Sequence, residues 1–337
     1  MNKIKILDSD EICGLSGLID NYPYKPCSWY PDLDNEIVSR CLYREIQNTA
    51  ETKENYILGL VENDTIVAFC VLKKSAAESH LLKKRIFSLS YLVSGGSYPI
   101  QLKNKLQLLR YLESDLSDHI DMLSCRAQSD DLSTIHALEN QTFLCMDILG
   151  TYSVENPYRA GQISNSFCTV RLSHQGDLQQ LKEIAGKSFS YDRFHHDPVI
   201  SSRQSDKIYE MFIENAVRRI GADKIMVAEH NGEIIGFNTI ELKKPFIDQS
   251  GIHIGSFILN AISPRFRNKG VFSHLIHDSI HYLEDSVDFI ETRVHLNNYP
   301  AIRGLSAQGF RLRTSHLTFH RWNSGKIRGP KKRSERE

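Results

Sequence analysis

Apolar residues recur along this chain in two patterns, short runs typical of buried strands and longer stretches with helical spacing. The clearest junction between the two lies at residues 255–283, where an apolar strand stops at Pro264 and an amphipathic helix begins after Gly270. The apolar positions that share one face of this helix are Val271, Phe272, Leu275, Ile276, Ile280 and Leu283. The pattern therefore predicts a strand, a short loop and a helix in direct succession.

The loop of this junction is basic and ends in glycine. Residues 265–269 include Arg265, Arg267 and Lys269, and Gly270 precedes the first helical turn. The first amides of a helix have no intrahelical acceptor, and the helix dipole adds partial positive charge there. Gly270 would let the backbone approach an anion without a Cβ in the way. We expect a ligand with a pyrophosphate group at this loop, although the same residues are also compatible with a solvated turn.

Two segments of the chain repeat at a nearly constant offset. Residues 126–143 match 293–310, with Arg126 opposite Arg293 and an identical Ile, Leu, Gln and Phe further along, at an offset of 167. Residues 63–69 match 231–237 at an offset of 168, and both read as β-hairpins with Asn at the turn. The agreement in order and spacing favours an internal duplication.

Each half is predicted to be an α/β unit. In the first half we expect helices near 8–20, 34–50, 102–112 and 132–140, and strands near 57–61, 66–73, 86–93, 122–126 and 144–152. In the second half we expect helices near 177–188, 205–219, 271–283 and 300–307, and strands near 168–172, 225–242 (a hairpin), 255–262, 289–295 and 312–321. The predicted organisation is a first domain at 1–152, a linker at 153–167, a second domain at 168–323 and a charged, disordered tail at 324–337.

Charge and composition exclude several classes of protein. The 41 basic and 41 acidic residues balance, so no overall field favours nucleic acid or a membrane surface. Neither an apolar run of membrane-spanning length nor a signal peptide is visible, and we expect a cytoplasmic protein, a monomer or homodimer, that acts on a small molecule. The seven cysteines form no CxxC pair and fall mostly in apolar segments, so we expect reduced thiols and no metal.

The second half resembles the GNAT N-acetyltransferase superfamily over its whole length. The family's first motif is an Arg or Gln, two residues, a Gly, one residue and then a Gly or Ala; Arg267 and Gly270 fit, and Phe272 departs from it. Its second motif fits at Asn298 and at the Gly-Phe pair 309–310, with Ala at position 301 between them. Leu305 stands where that motif has a tyrosine.

The resemblance implies acetyl-coenzyme A as co-substrate. Its pyrophosphate would lie over the amides of residues 267–272, and its pantetheine arm would run beside residues 258–262, where the family's sheet splays. The coenzyme-binding residues implied in this way are Leu259, Ala261, Ile262, Arg265, Arg267, Asn268, Lys269, Gly270, Val271, Phe272 and Asn298.

The first half lacks the phosphate loop. The offset of 167 places Ile100–Lys103 opposite Arg267–Gly270, with no glycine, and Asp131 opposite Asn298, where an acid would repel a diphosphate. The expected fold is therefore two tandem GNAT-like mixed-sheet α/β domains, of which the first is degenerate and covers or shapes the active half.

The acceptor site is expected at the loop of residues 188–198. Its composition resembles that of sugar-nucleotide GNAT enzymes, which acetylate amino-dideoxyhexoses carried on dTDP for surface polysaccharides such as lipopolysaccharide or capsule. The residues implied for the substrate are Tyr191, Arg193, Phe194 and Asn260. Aromatic faces suit a sugar or thymine ring, and an arginine can hold a phosphate through two hydrogen bonds.

Acetyl transfer to an amine needs a base, because an ammonium must lose a proton before it attacks the thioester. His195 or His196 is the expected base, oriented by Asp192 or Asp197, and Glu241 is a weaker candidate. Amides of the central strand near Ala261 would stabilise the oxyanion.

The leaving thiolate has no obvious acid at its expected position. Leu305 cannot donate the proton that the family's tyrosine usually supplies. Either Tyr299 or Tyr191 donates it, or the thiolate leaves unprotonated, in which case positioning would account for most of the rate.

Three other functions compete with this one. The chain could acetylate another small amine, it could be an aminoacyl transferase of tandem GNAT form, or it could be a coenzyme-binding module without catalysis. The balanced charge argues against a tRNA-dependent enzyme, and Leu305 is the strongest support for a non-catalytic module.

Overall fold

The computed structural model describes residues 3–30, 33–155 and 167–323. In this part of the chain, all strands belong to one twelve-stranded sheet with the order β1-β2-β3-β4-β5-β12-β6-β11-β10-β9-β8-β7. The strands are Lys3–Ile6 (β1), Tyr56–Glu62 (β2), Thr65–Lys74 (β3), Ile86–Ser94 (β4), Met122–Gln128 (β5), Leu144–Glu155 (β6), Thr169–Leu172 (β7), Lys224–His230 (β8), Glu233–Leu242 (β9), Ile254–Ile262 (β10), Phe289–His295 (β11) and Arg311–Trp322 (β12).

Helices cover the faces of this sheet. Their bounds are Ser16–Asp20 (α1), Asn35–Ala50 (α2), Ala76–Leu82 (α3), Tyr98–Ser114 (α4), Leu132–Asn140 (α5), Leu178–Ser188 (α6), Arg193–His196 (α7), Ser202–Val217 (α8), Lys244–Ser250 (α9), Val271–Leu283 (α10) and Tyr299–Ala307 (α11). The helices α3, α7 and α9 were not predicted, because each is too short for a helical period to emerge from the sequence. No helix in the described ranges is long and apolar enough to cross a membrane.

The two halves exchange their last strands. Strand β6 comes from the first half but pairs antiparallel with β11 of the second, from Leu149 opposite His295 to Glu155 opposite Phe289. Strand β12 comes from the second half and lies between β5 and β6. The halves therefore form one continuous sheet in place of two apolar sheets that meet at an interface.

The predicted linker and tail are only partly covered by the structure. Ser153–Glu155 belong to β6, so the linker cannot start at residue 153. Residues 156–166 and the tail at 324–337 lie outside the described residues.

The internal repeat is visible in the geometry of the sheet. In each half, two neighbouring parallel strands pair over four residues and then diverge: Ile86–Leu89 with Met122–Cys125, and Ile254–Phe257 with Phe289–Thr292. The two upstream hairpins also share their turn. Asn63 and Asp64 have φ of 49° and 60°, and Asn231 and Gly232 have φ of 52° and 80°, as a two-residue type I′ turn requires.

The core of the second half is built around α10. Its buried residues, Val271, Leu275, Ile276, Ile280 and Leu283, are those that the helical spacing predicts, and Phe272 is partly buried beside them. Burial of large aliphatic side chains contributes roughly 1.5–3 kcal/mol each. This packing fixes the start of α10 against the central strands.

All seven cysteines are free thiols, as expected. Cys27, Cys70, Cys125 and Cys168 are buried, whereas Cys13 and Cys145 are exposed. In the described part of the chain, no group of His, Cys, Asp and Glu side chains is arranged to hold a metal ion.

Candidate active site

The loop between β10 and α10 has the backbone of an anion seat. Strand β10 ends at Ile262, a single 3-10 turn follows at Pro264–Phe266, and Asn268 and Gly270 take left-handed conformations with φ of 61° and 75°. Gly270 is the N-cap of α10 and has no side chain to occupy the first-turn amides. These amides and the positive end of the helix dipole can therefore receive a phosphate group.

The basic side chains of this loop mostly support the loop itself. Arg267 donates hydrogen bonds to the carbonyl oxygens of Ile262 at 3.3 Å and Ser188 at 3.1 Å, which ties the loop to the end of α6. Arg265 lies at the surface, 3.7 Å from a carboxylate oxygen of Glu233. The ammonium of Lys269 lies 5.0 Å from the ring centroid of Phe167. The anion seat thus consists of backbone amides more than of converging cations.

Next to the loop, β10 and β11 diverge and leave a wedge. Their pairing ends at Phe257 and Thr292, and the register of β10 against β9 shifts between Phe257 and Asn260. Ile258 is 49% exposed there. One backbone edge of β10 is therefore accessible beside the wedge, where a narrow chain could lie against it.

Two of the predicted coenzyme residues lie beside this wedge. Leu259 and Asn298 line a cavity of about 730 Å³, together with Asn260, which was expected to bind the acceptor. The Asn298 side chain caps α11 by accepting a hydrogen bond from the amide of Ala301. Ala261, Ile262 and Val271 are buried and support the wedge from below.

The loop of residues 189–200 does not supply the expected base. Asp192 caps α7 by accepting from the amides of Phe194 and His195, at 2.9 and 3.3 Å. Both ring nitrogens of His195 face carboxylates, Nδ1 at 2.5 Å from Asp192 and Nε2 at 3.1 Å from Asp206. Burial opposes the charged ring, but these two contacts raise the pKa of His195. Because both ring nitrogens face carboxylates, His195 has no free nitrogen with which to accept a proton from a substrate.

Of the other residues of this loop that were expected at the site, some line the cavity and some do not. His196 Nδ1 lies 2.7 Å from the carbonyl oxygen of Met146, and neither His195 nor His196 lines the cavity. Tyr191 is 54% exposed and also lies outside the cavity lining. Arg193 and Phe194 do line the cavity. The histidines and Asp192 therefore anchor the loop in this structure, and their catalytic role stays a prediction that these contacts do not support.

The position of the family's tyrosine is part of the core. Leu305 is buried among the apolar residues under α10. Tyr299 begins α11 with 64% of its surface exposed and does not line the cavity. Neither residue can donate a proton inside the cavity as the structure stands.

The cavity is lined by six charged side chains, and the sequence predicts only two of them as site residues, Arg193 and Glu241. The other four are Arg126, Lys243, Glu291 and Arg293. Most of them lie on strands that alternate inward and outward, so the sequence does not reveal which face is buried. The sequence feature that could have pointed to two of these residues is the repeat, in which Arg126 and Arg293 occupy equivalent positions.

Two of these charges neutralise each other. Lys243 Nζ lies 2.5 Å from Glu291, and the hydroxyl of Tyr30, from the first half, donates to the same carboxylate at 2.9 Å. Burial opposes its ionisation, but Lys243 and Arg293 lower the pKa of Glu291. The pair is therefore ionised and fixed in place.

Glu241 differs from Glu291. Among the described residues it forms no ion pair, and burial raises the pKa of its carboxyl above the ordinary value. A carboxylate in such a setting holds a proton more tightly than in water and is suited to accept one from an amine.

The first half differs from the second at the equivalent place. Gly95–Ser97 form the loop before α4, which begins at Tyr98, so residues 100–103 lie inside the helix and are not the counterpart of the phosphate loop. The space beside β4 contains a buried ion pair, Lys105 with Asp131 at 3.1 Å. Lys105 also donates to the hydroxyls of Ser133 and Thr134, both at 2.7 Å. Asp131, the N-cap of α5, stands at the position equivalent to Asn298, the N-cap of α11.

Comparisons with known proteins agree with this geometry. Residues 179–310 match the sequence model of the acetyltransferase (GNAT) family. Members of that family use acetyl-CoA as co-substrate. The spore coat polysaccharide biosynthesis protein SpsD of Bacillus subtilis (strain 168) is 25% identical over 277 residues, which cover 81% of this chain and 90% of SpsD.

Two solved structures share the fold over nearly the whole chain. A GCN5-related N-acetyltransferase from Sphaerobacter thermophilus has a TM-score of 0.63 at 12% identity, with 96% of each chain covered. A tandem GNAT protein from the clavulanic acid biosynthesis pathway has a TM-score of 0.60 at 10% identity, with 96% of this chain and 99% of that chain covered. The tandem arrangement is therefore common to these proteins.

Proposed function

We propose that this chain, which carries a GNAT-type acetyltransferase domain, transfers the acetyl group of acetyl-CoA to the amine of a dTDP-linked 3- or 4-amino-dideoxyhexose in surface-polysaccharide synthesis. The observation that carries the proposal is the wedge between β10 and β11, which opens into a cavity containing an unpaired carboxylate, Glu241. The wedge provides room for a coenzyme arm, and the carboxylate provides a base for an amine.

The residues around the wedge fit the coenzyme. The first-turn amides at residues 270–272 suit a pyrophosphate, since Gly270 exposes them. The free edge of β10 at residues 258–260 offers backbone groups to an amide-containing arm. When bound, acetyl-CoA supplies an activated thioester as acetyl donor. The work of the chain is to place that thioester beside the acceptor amine and to exclude water.

Glu241 is the proposed base. An amino sugar arrives as an ammonium, and its proton would pass to the Glu241 carboxylate, directly or through one water. The raised pKa of this carboxyl brings it closer to that of the amine. Glu241 therefore takes the role that the sequence pattern favoured for His195.

The thiolate leaves without a tyrosine at position 305. Leu305 is buried in the core and Tyr299 points to solvent, so we propose that the leaving group takes its proton from water. Positioning of the two substrates then accounts for most of the rate acceleration. Proximity and orientation alone can lower the activation barrier by roughly 7–11 kcal/mol.

The acceptor class is supported by two observations. The cavity is lined by Phe189 and Phe212, which are only partly buried and can offer aromatic surface to a sugar or base ring. SpsD carries a name that refers to spore coat polysaccharide biosynthesis, which fits a sugar as acceptor. A free sugar amine would need fewer cationic groups than the cavity contains.

A turnover assay tests the proposal. Purified protein would be incubated with acetyl-CoA and a panel of dTDP-linked 3-amino- and 4-amino-dideoxyhexoses, with thiol release as the measurement. We expect turnover with at least one member of the panel, and a loss of about 100-fold or more in kcat for Glu241→Gln, the usual range for a general base. The matched control is Glu183→Gln on the exposed face of α6, which should retain full kcat. Absence of turnover with every amino sugar would refute the proposed acceptor.

A further inference from the structure

We propose that Arg126 and Arg293 together bind the diphosphate of the acceptor, so that the first half supplies one side of the acceptor site. This inference rests on the proposed function and specifies how the nucleotide-linked substrate is recognised. The two arginines occupy equivalent positions in the internal repeat and line the same cavity.

Strand exchange brings the two arginines to one cavity. Arg126 lies on β5 opposite Thr318 of β12, and Arg293 lies on β11 opposite Thr151 of β6. Strands β12 and β6 lie side by side between them, so β5 and β11 are separated by only two strands.

The charges in the cavity leave these two arginines available. Lys243 is paired with Glu291 at 2.5 Å. Arg193 donates to Ser124 at 3.0 Å and lies 3.6 Å from Glu78. In the part of the chain that the structure describes, neither Arg126 nor Arg293 forms an ion pair with a carboxylate. Arg126 makes one long hydrogen bond, from Nε to the hydroxyl of Thr318 at 3.4 Å.

The unpaired charges match the proposed substrate. Two cations, Arg126 and Arg293, and one carboxylate, Glu241, remain in the cavity lining after the paired groups are set aside. A nucleoside-diphosphate amino sugar carries two negative charges on its diphosphate and one positive charge on its amine. Asp147 also acts electrostatically on Arg126, and its carboxylate lies 3.8 Å from His295 Nδ1.

Positive charge is concentrated around the two arginines. Burial and the neighbouring charges of Arg293 and Arg193 lower the pKa of Arg126. His316, on β12 between the two halves, has a pKa lowered to about 4 by burial and by Arg293 and Arg126. Its Nδ1 is buried and has no hydrogen-bond partner among the described residues. A bound diphosphate would offset this concentration of positive charge.

The first half therefore contributes to specificity even though its own coenzyme site is filled. A sugar without a nucleotide would leave both guanidinium groups without a partner. We expect the enzyme to discriminate against free amino sugars mainly through KM, because the arginines hold a part of the substrate that does not react.

The test uses dTDP as a binding probe, measured by calorimetry with the protein saturated in acetyl-CoA so that the coenzyme site is not available. We expect Arg126→Gln and Arg293→Gln each to weaken dTDP binding by about tenfold or more, the effect of a lost charge-assisted hydrogen bond. Arg126→Lys should retain part of the affinity. The control is Arg110→Gln, an exposed residue of α4, and acetyl-CoA affinity and thermal midpoint should be unchanged in every variant.

The outcomes separate this inference from the proposed function. Unchanged dTDP affinity and unchanged KM for a dTDP-amino sugar in both variants would overturn the arginine site while leaving the acetyl transfer intact. Weakened dTDP binding in both variants, without turnover of any amino sugar, would uphold the arginine site and refute the acetyl acceptor. No binding of dTDP to the unaltered protein would overturn the inference outright.

Discussion

Phe272 lies against Gly304 so closely that a side chain at position 304 would have to displace the ring. A Cβ built on Gly304 would lie 2.7 Å from Cδ1 and 2.8 Å from Cε1 of the Phe272 ring. Phe272 is the residue that departs from the family's first motif, and Gly304 precedes Leu305, which departs from the second. The two departures are thus parts of one packing arrangement, in which α10 and α11 meet through an aromatic ring and a glycine.

Gly304→Ala should therefore weaken coenzyme binding and lower the free energy of unfolding. Overpacking typically lowers the free energy of unfolding by about 1–3 kcal/mol, whereas the higher helix propensity of alanine relative to glycine raises it by about 1 kcal/mol. Urea unfolding and calorimetric titration with acetyl-CoA would measure both effects. The control is Gly17→Ala in α1, where nothing lies within 4 Å of the added methyl group. The packing explanation requires that Phe272→Leu rescue Gly304→Ala; a double variant as unstable as the single one would refute it.

Local patterns in the sequence predicted much of the framework around the site. The helical spacing from Val271 to Leu283 and the glycine directly before this helix are consequences of short-range chemistry, and both are present. Short-range chemistry also engages the predicted base, because Asp192 bonds to the His195 ring and to the first amides of α7.

The charged cavity could not be predicted, because it depends on strand exchange. An apolar strand such as β6 has the same sequence pattern whether it pairs within its own half or with β11. Only the exchange brings Arg126 beside Arg293. The repeat identified these two arginines as equivalent, but nothing in the sequence placed them in one cavity.

The buried ion pair in the first half should contribute to the stability of the fold. Asp131→Asn keeps the cap of α5 but leaves the buried ammonium of Lys105 without a countercharge. Removal of one partner of a buried pair typically costs about 3–5 kcal/mol. We expect a loss of that order in urea unfolding. Combining it with Lys105→Met should recover most of the loss, and a double variant no more stable than Asp131→Asn would contradict this account.

His316 should make the fold sensitive to acid. Its pKa is lowered from 6.5 to about 4 in the folded chain, with burial as the first cause. Between pH 6.5 and 4 the unfolded chain binds this proton and the folded chain does not, so stability falls as the pH falls through that window. The contribution is on the order of 3 kcal/mol at most. His316→Gln should flatten the pH dependence of unfolding in this window, whereas His119→Gln at the surface should leave it unchanged.

Glu241 should determine the acidic limb of the pH–rate profile, where kcat/KM falls as the pH is lowered. Because burial raises the pKa of its carboxyl, the proton is lost at a higher pH than for an ordinary glutamate. Catalysis needs the deprotonated form, so kcat/KM for the dTDP-amino sugar should fall as the pH drops through this raised value. In Glu241→Gln the residual rate should lose that limb, while Glu183→Gln should keep it. His195→Gln separates the two candidate bases, since it should destabilise the loop of residues 189–200 without shifting the limb. A limb that persists in Glu241→Gln and disappears in His195→Gln would return the role of base to the histidine.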